Sequence, residues 1–294
     1  MNNIHTAPTP LDNQLPCFSL LEVTGPDAAR LLQGQLTCDV TGLADGQWTL
    51  GACCNAKGRM VANFLLARTD DRFVFRLAAD LVESFQRHLG KYAVFYKVTL
   101  TPLQAAIFGY QMPNPKAEHS VLNIDGQLLL NWPDGRVEQW ADTAPDSLAD
   151  TVPLSSAAWQ QLDIQSGLVW VTQASVEHWI PQHIAWDKLG GVNFKKGCYT
   201  GQEVVARVQY LGKAKKQLVG AASTPRSSAA FQPPSLLSNI EAAGKTVGEV
   251  ASWNGDCGLL VLNGEPQGAL TLENDTPITI TPLPFATSSS PESA

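Results

Sequence analysis

The sequence predicts an α+β fold that ends in a small β-barrel or sandwich, and three observations lead to this prediction. The first hundred residues mix strand-like runs with two helical segments. Two Asp-Gly pairs then separate three strand-like runs, a pattern typical of a β-meander. The segment 213–286 carries short β candidates separated by turn residues.

The first hundred residues are expected to contain five strands, at 18–23, 47–54, 59–67, 72–77 and 94–100. The second and third strands form a hairpin, because the four residues 55–58 between them are turn formers. One helix is predicted over 26–33, with Pro26 in the first helical position and Gly34 as its stop signal. A second helix is predicted over 79–89 from the spacing of its apolar residues.

The rest of the chain is expected to be mainly β-structure. A meander is predicted over 121–140, with turns at Asp125-Gly126 and Asp134-Gly135, and 141–156 is expected to be a linking segment. Strands are predicted over 246–253, 257–263, 270–272 and 278–280. The Ser-rich tail 287–294 is expected to be disordered.

Composition excludes several functional classes. The chain has 294 residues, a net charge of -7 and 44% apolar residues, with a pI near 5.2 and a mean hydropathy of -0.06. An acidic globular protein is not a general polyanion binder, and no apolar run is long enough to span a membrane. We therefore expect a cytoplasmic protein with no membrane partner. Its six cysteines should be reduced thiols without a metal, because no zinc-type spacing is present.

The most informative segment is 195–216, because it combines a cysteine, lysines and a helix signal. Thr200 and Glu203 have the spacing of a capping box, which predicts a helix after Thr200 that ends near Gly212. Cys198 would then precede a helix N-terminus, with Lys195 and Lys196 beside it. These features would lower the pKa of the thiol and favour a reactive cysteine. The alternative is a small buried cysteine in a glycine-containing turn.

The same region is strongly basic. The segment between residues 187 and 216 contains seven basic and two acidic residues. The simpler interpretation is a solvated surface with cations at a helix C-terminus. The other interpretation is a docking surface for RNA or for the polyanionic tail of a ligand.

The motif K-G-C-Y-T-G-Q-E resembles the signature of the YgfZ-type folate-binding proteins, which belong to the superfamily of the glycine-cleavage T-protein (aminomethyltransferase). Segments 31–40, 55–60, 91–98 and 179–197 match in the same order. The resemblance implies three lobes around a central folate cavity: a core of 1–100 plus 159–212, a short α+β lobe at 101–158 and a barrel at 213–286. The motif consists of Lys196, Gly197, Cys198, Tyr199, Thr200, Gly201, Gln202 and Glu203.

The resemblance also implies roles for single residues. The reactive cysteine of the family falls on Cys198, and two aromatic folate contacts fall on Phe18, where the family often has Trp, and on Trp159. The implied cofactor is tetrahydrofolate or another folate, with a possible transient iron-sulfur cluster. The implied partners are iron-sulfur enzymes such as those that thiomethylate tRNA, and direct tRNA contact is left open.

The chain departs from the T-protein at the catalytic aspartates. Those positions read Ala62 and Asn63, and neither side chain can ionise. We therefore expect a tetrahydrofolate-binding accessory protein of iron-sulfur assembly and tRNA modification, and we lean against an enzyme. The alternative is a folate-dependent one-carbon transferase or demethylase that uses another group as its base.

Overall fold

The first part of the chain forms a five-stranded antiparallel sheet with two helices. The computed structural model describes residues 12–113, 119–142, 148–212, 214–223 and 232–286. The strands are β1 (Phe18–Thr24), β2 (Gln47–Cys54), β3 (Met60–Thr69), β4 (Arg72–Ala78) and β5 (Thr99–Leu103). They lie in the order β2-β3-β4-β1-β5. The helices are α1 (Ala28–Gln35) and α2 (Val82–Ala93), the latter preceded by a 3₁₀ turn over Ala79–Leu81.

Packing explains why α2 forms where it does. Its apolar side, with Val82, Phe85 and Leu89, is buried. The ring of Phe85 lies 5.8 Å from that of Phe64 and 5.3 Å from that of Phe75, two residues of the first sheet. Aromatic rings at such separations add to the free energy gained from burial alone. The helix is therefore held on the sheet by one aromatic cluster.

Two predicted bounds in this region are wrong. The first helix begins at Ala28 and continues through Gly34 to Gln35, so Gly34 does not end it. The strand predicted over 94–100 begins only at Thr99. Residues 94–98 instead follow α2 as a turn, in which the backbone N–H groups of Phe95 and Tyr96 donate to the carbonyls of Tyr92 and Ala93.

The second sheet contains the predicted meander. Its strands are β6 (Ala106–Gln111), β7 (Val121–Ile124), β8 (Gln127–Asn131), β9 (Arg136–Ala141) and β10 (Val152–Pro153), in the order β10-β6-β9-β8-β7. Asp125 and Gly126 both have positive φ, as a two-residue hairpin turn requires. The described residues of 101–155 form strands and turns, and helix α3 (Ser156–Ser166) begins directly after them.

The last part of the chain closes into a barrel, as predicted, and this barrel has six strands. It follows 3₁₀ turns at Gln173–Ser175 and Pro181–Ile184 and helix α4 (Gln202–Leu211). The strands are β11 (Lys216–Ser223), β12 (Asn239–Ala242), β13 (Lys245–Asn254), β14 (Cys257–Asn263), β15 (Leu270–Leu272) and β16 (Pro277–Thr281). They lie in the order β11-β14-β13-β12-β15-β16, and a 3₁₀ turn follows at Pro284–Ala286. The tail 287–294 lies outside the described residues.

One apolar core runs through both sheets and reaches the barrel. Its buried members include Phe64 of the first sheet, Leu130 of the second and Leu259 of the barrel. A smaller core, which includes Val250 and Leu260, lies in the barrel. The predicted α+β class with a C-terminal barrel is confirmed. The division into domains at the stated boundaries stays a prediction.

Candidate functional site: an aromatic cavity and an exposed cysteine

A cavity of about 320 Å³ brings Phe18 and Trp159 together, although 141 positions separate them in the chain. It lies where the start of β1, helix α3 and strand β13 of the barrel meet. Trp170 and Trp253 supply two more indole rings. Its lining residues are Cys17, Phe18, Ala78, Ser156, Trp159, Gln160, Asp163, Leu168, Trp170, Thr172, Pro234, Leu236, Ala251, Ser252 and Trp253.

The rings of the cavity are firmly packed. The Phe18 ring meets Trp170 edge-on, with 5.5 Å between ring centroids. Trp159 is only 1% exposed, and a Cβ atom added to Gly109 would lie 2.7 Å from its Cε3. Gly109 is therefore required for Trp159 to lie flat against β6. Within the described part of the chain, the buried indole N–H of Trp159 has no hydrogen-bond partner.

Two buried arginines pack against these rings. The guanidinium carbon of Arg76 lies 3.5 Å from the Phe18 centroid and 4.3 Å from that of Trp170. The guanidinium carbon of Arg136 lies 4.7 Å from the Trp159 centroid. Each predicted folate contact therefore has a guanidinium group packed against its ring. Such cation–π contacts are favourable, and more so when the cation is desolvated.

Each arginine is neutralised by a carboxylate. Arg76 donates to both oxygens of Glu138, from Nη2 at 2.6 Å and from Nε at 3.3 Å. Arg136 donates to Asp163 and, at 2.8 Å, to Asp134. Burial lowers the pKa of Arg136, but Asp163 and Asp134 outweigh it, so the net shift is upward. The charges of both buried arginines are therefore paired within the fold.

Asp163 is the polar residue of this site that the sequence did not single out. Its carboxylate accepts from Arg136 and, at 2.8 Å, from Nε1 of Trp170. A carboxylate can accept about four hydrogen bonds, so Asp163 keeps capacity for a ligand donor. The sequence did contain a signal for Asp163, because this residue lies on the same side of a helix as Trp159, one turn further along. Trp170 lies beyond the helix, and its partner could not be read from the sequence.

Cys198 lies at a different place, in the exposed loop before α4. The helix begins at Gln202 and its C-cap is Gly212, close to the predicted end. The predicted capping box does not form: the N-cap is Gly201, and no side chain caps the helix. The Thr200 hydroxyl instead donates to Oε1 of Gln35 at 3.1 Å. The exposure of Cys198 also contradicts the alternative of a small buried cysteine.

Lys196 does not act on the thiol as predicted. Its ammonium group donates to three backbone carbonyls at the end of α1, those of Gln33, Leu36 and Cys38, at 2.7, 2.6 and 2.9 Å. Burial lowers the pKa of Lys196, and nearby Asp39 opposes the shift. Lys196 therefore fixes the loop to the end of α1, and the flanking cation that remains exposed is Lys195.

The rest of the motif packs on the hairpin between β2 and β3. Gly201 has a φ of +85°, and a Cβ atom there would lie 2.4 Å from the carbonyl oxygen of Asn55. Tyr199 is buried, and burial raises the pKa of its hydroxyl. Gly197 and Glu203 are exposed, and Gln202 is half-buried. None of the motif residues 196–203 lines the aromatic cavity, so the cysteine and the cavity are two separate sites.

Comparison with known proteins identifies the family. A protein of Pectobacterium carotovorum subsp. carotovorum (strain PC1), named tRNA-modifying protein YgfZ, is 34% identical over 301 residues, which cover 91% of this chain and 89% of that protein. One of the same name from Pectobacterium atrosepticum is 32% identical over 97% of this chain and 99% of its own length. The chain belongs to the YgfZ family. The family model of the GCVT N-terminal domain also matches residues 14–128.

The fold extends beyond the YgfZ family. The crystal structure of the glycine cleavage system aminomethyltransferase T from Bartonella henselae superposes with a TM-score of 0.70 at 16% identity, over 92% of this chain and 85% of that one. At this identity the likeness concerns the fold alone. The predicted T-protein-like arrangement is confirmed.

The positions of the two missing aspartates are buried in this YgfZ-family chain. Ala62 and Asn63 lie in β3 with no exposed surface. The Asn63 side chain donates to the carbonyl of Val169 at 2.8 Å and accepts from the N–H of Val171 at 2.7 Å. Asn63 is therefore a structural link between β3 and the segment after α3, and its hydrogen-bonding groups are engaged by backbone.

Part of the basic charge near the motif is engaged within the fold. Lys216 forms an ion pair with Glu249 at 2.8 Å, and Lys196 binds backbone carbonyls as described above. Lys188, Lys195, Arg207 and Lys215 are exposed, and Lys213 lies outside the described residues. The local excess of charge is therefore smaller at the surface than the sequence suggests.

The described residues contain no group of three or more His, Cys, Asp or Glu side chains suited to a metal ion. No helix in the described ranges is long and apolar enough to cross a membrane.

Proposed function

We propose that this YgfZ-family protein binds tetrahydrofolate and supports tRNA modification as an accessory protein in the cytoplasm. The observation that carries the proposal is the aromatic cavity, in which Phe18 and Trp159 lie together with Trp170 and Asp163. The link to tRNA comes from the relatives named tRNA-modifying proteins.

The lining of the cavity suits a pterin ring. A pterin is flat and bicyclic, so it can stack on aromatic faces while polar groups bind its edge. Its amino and N–H groups are donors that match the free acceptor capacity of Asp163. Its carbonyl and ring nitrogens are acceptors that match the unpartnered N–H of Trp159. The volume of about 320 Å³ is at the small end of ligand sites. The cavity thus suits the ring, and the glutamate tail would extend outside.

Cys198 supplies the second part of the proposal. An exposed thiol is a soft ligand and a nucleophile, which suits transient contact with an iron-sulfur cluster, a sulfur species or a client enzyme. The cluster would be cargo, with its other ligands supplied by the client, because the described residues offer no metal-ligand group around this thiol. The clients would be iron-sulfur enzymes such as those that thiomethylate tRNA.

The alternative, a one-carbon transferase or demethylase, has less support. It needs a base near the folate nitrogen, and the parent positions hold a methyl group and an amide bound to backbone. A turnover assay with tetrahydrofolate and glycine-derived or N-methyl substrates separates the two functions. Formation of 5,10-methylene-tetrahydrofolate from the aminomethyl substrate, or of 5-methyl-tetrahydrofolate from the N-methyl substrate, by the wild-type protein would contradict the accessory role.

Folate binding is tested by calorimetric titration with tetrahydrofolate. Trp159→Ala should raise the Kd about tenfold, from a stacking contribution of about 1 kcal/mol. Because this change removes a buried indole, Trp159→Phe serves as a milder variant, with circular dichroism to check the fold. Trp48→Phe is the matched control, since Trp48 is a buried indole outside the cavity. Equal affinities for all three variants and the wild type would place the pterin elsewhere.

The cellular role is tested by complementation. A strain without the gene should lose thiomethylated tRNA bases, and the wild-type protein should restore them. Cys198→Ser should fold and bind folate normally yet fail to restore the bases. Full restoration by Cys198→Ser would remove the thiol from the mechanism.

A further inference from the structure

An exposed aromatic and basic surface lies at the end of α2. We call it the Phe95 surface. Phe95 is 82% exposed and the preceding Val94 is 74% exposed, which is unusual for large apolar side chains. The surface consists of Arg30, Arg87, Lys91, Phe95, Tyr96 and Lys97.

The exposure of Phe95 is built into the fold. The backbone N–H of Phe95 donates to Tyr92 at 3.3 Å, and that of Tyr96 donates to Ala93 at 2.9 Å, so the turn is fixed by its own hydrogen bonds. Its far end is held by Asp27, whose carboxylate accepts from the N–H of Lys97 at 2.9 Å. The ring is thus held outward on a defined turn.

Positive charge lies on the same surface. The guanidinium carbon of Arg30 lies 5.7 Å from the centroid of Tyr96. The four cations of the Phe95 surface form no ion pair with any acid in the described parts of the chain. In a chain with a net charge of -7, this is a local site where a polyanion is attracted and not repelled.

The Phe95 surface and the cysteine loop share helix α1. Arg30 and Gly34 are four residues apart, so they lie on the same side of the helix, one turn from each other. The carbonyl of Gly34 accepts from the N–H of Thr200, two residues after Cys198. The Phe95 surface therefore lies beside the loop that carries the exposed thiol.

We infer that the Phe95 surface binds single-stranded RNA, with an unpaired base stacked on Phe95 and phosphates bound by Arg30, Lys91 and Lys97. Exposed aromatic rings among cations are the recognised platform for unpaired bases, whereas a duplex hides its base faces. An apolar partner could not pair with the four cations, so these cations favour a polyanion as the partner. The biological relevance of this inference rests on the proposed role in tRNA modification, and it adds a direct RNA contact to that role.

The test is fluorescence anisotropy with a labelled oligouridylate and with a fully paired RNA duplex of the same length. Phe95→Ala should weaken oligouridylate binding about tenfold and leave duplex binding unchanged. Lys97→Ala should reduce the slope of log affinity against log salt by about 0.7, as expected for one lost phosphate contact on a single strand. The matched controls are Ile124→Ala and Lys245→Ala, which remove an exposed apolar side chain and an exposed lysine elsewhere.

Three results would overturn the inference: no salt-dependent binding of oligouridylate, equal effects of Phe95→Ala and Ile124→Ala, or Phe95-dependent self-association in sedimentation without RNA binding. The last result would make the surface a protein interface. Titration of the same variants with tetrahydrofolate separates this inference from the proposed function. Phe95→Ala should bind folate normally. If the wild-type protein binds folate but not oligouridylate, only the RNA contact is contradicted, and if it binds oligouridylate but not folate, only the folate proposal is contradicted.

Discussion

Replacing Lys196 with alanine should destabilise the protein far more than its position in a surface loop suggests. The change removes one ammonium group that binds three backbone carbonyls at 2.6–2.9 Å. Hydrogen bonds to a charged group contribute about 1.5–3 kcal/mol each, or about 4.5–9 kcal/mol for the three together. The desolvation of the ammonium offsets several kcal/mol of this. We expect the free energy of unfolding to fall by about 2–4 kcal/mol.

The measurement is urea unfolding followed by tryptophan fluorescence. Lys195→Ala is the matched control, because Lys195 is the exposed neighbour, and we expect a change within about 0.5 kcal/mol. Lys196→Met separates charge from packing, since it keeps the apolar stem and removes the ammonium. The reasoning is refuted if Lys196→Ala is as stable as Lys195→Ala, or if Lys196→Met is as stable as the wild type.

Three further predictions concern single side chains. Asn63→Asp should lower the free energy of unfolding by about 2–4 kcal/mol, because a carboxylate cannot donate to the carbonyl of Val169. The same variant should not restore aminomethyl transfer. A urea midpoint equal to that of the wild type would contradict the stability prediction. In a short iodoacetamide pulse read by mass spectrometry, Cys198 should be labelled fastest. Cys17 is exposed as well, but desolvation raises the pKa of its thiol despite the opposing charge of Arg76, and faster labelling of Cys17 would contradict the prediction. Burial, followed by nearby Lys216 and Arg59, lowers the pKa of His183 to about 4. Between about pH 6.5 and 4 the unfolded chain therefore binds a proton that the folded chain does not, and stability falls as the pH falls. In His183→Gln, urea midpoints should fall less over this window, and an unchanged pH dependence would refute the assignment.

Local patterns predicted the fold well where the sequence itself specifies the turn. The bounds of β2 agree to the residue, and both Asp-Gly turns are present. The turn at 94–98 was missed because its β-branched and aromatic residues have strand propensity, while the end of α2 determines their structure. The capping box is the reverse case: it was predicted but does not form, because the Thr200 hydroxyl donates to Gln35, a partner distant in the sequence.

The candidate site was predictable only in part. The resemblance supplied Phe18, Trp159 and Cys198, but the local sequence could not show which of them share a cavity. The three carbonyls bound by Lys196 precede it by 158–163 positions, so sequence spacing could not reveal that the lysine is a structural anchor. Charge pairs between distant strands are equally invisible before the chain is folded.

The pair of Arg76 and Glu138 has a consequence for how the aromatic cavity can open. It joins β4 of the first sheet to β9 of the second, and both side chains are fully buried. Separating these strands would leave two charges to be hydrated at once, which makes a partial opening there unfavourable. The two sheets should therefore unfold as one cooperative unit. Together they form a rigid side of the aromatic cavity. Access of a ligand to the cavity would then have to come from a side other than the joint between the two sheets.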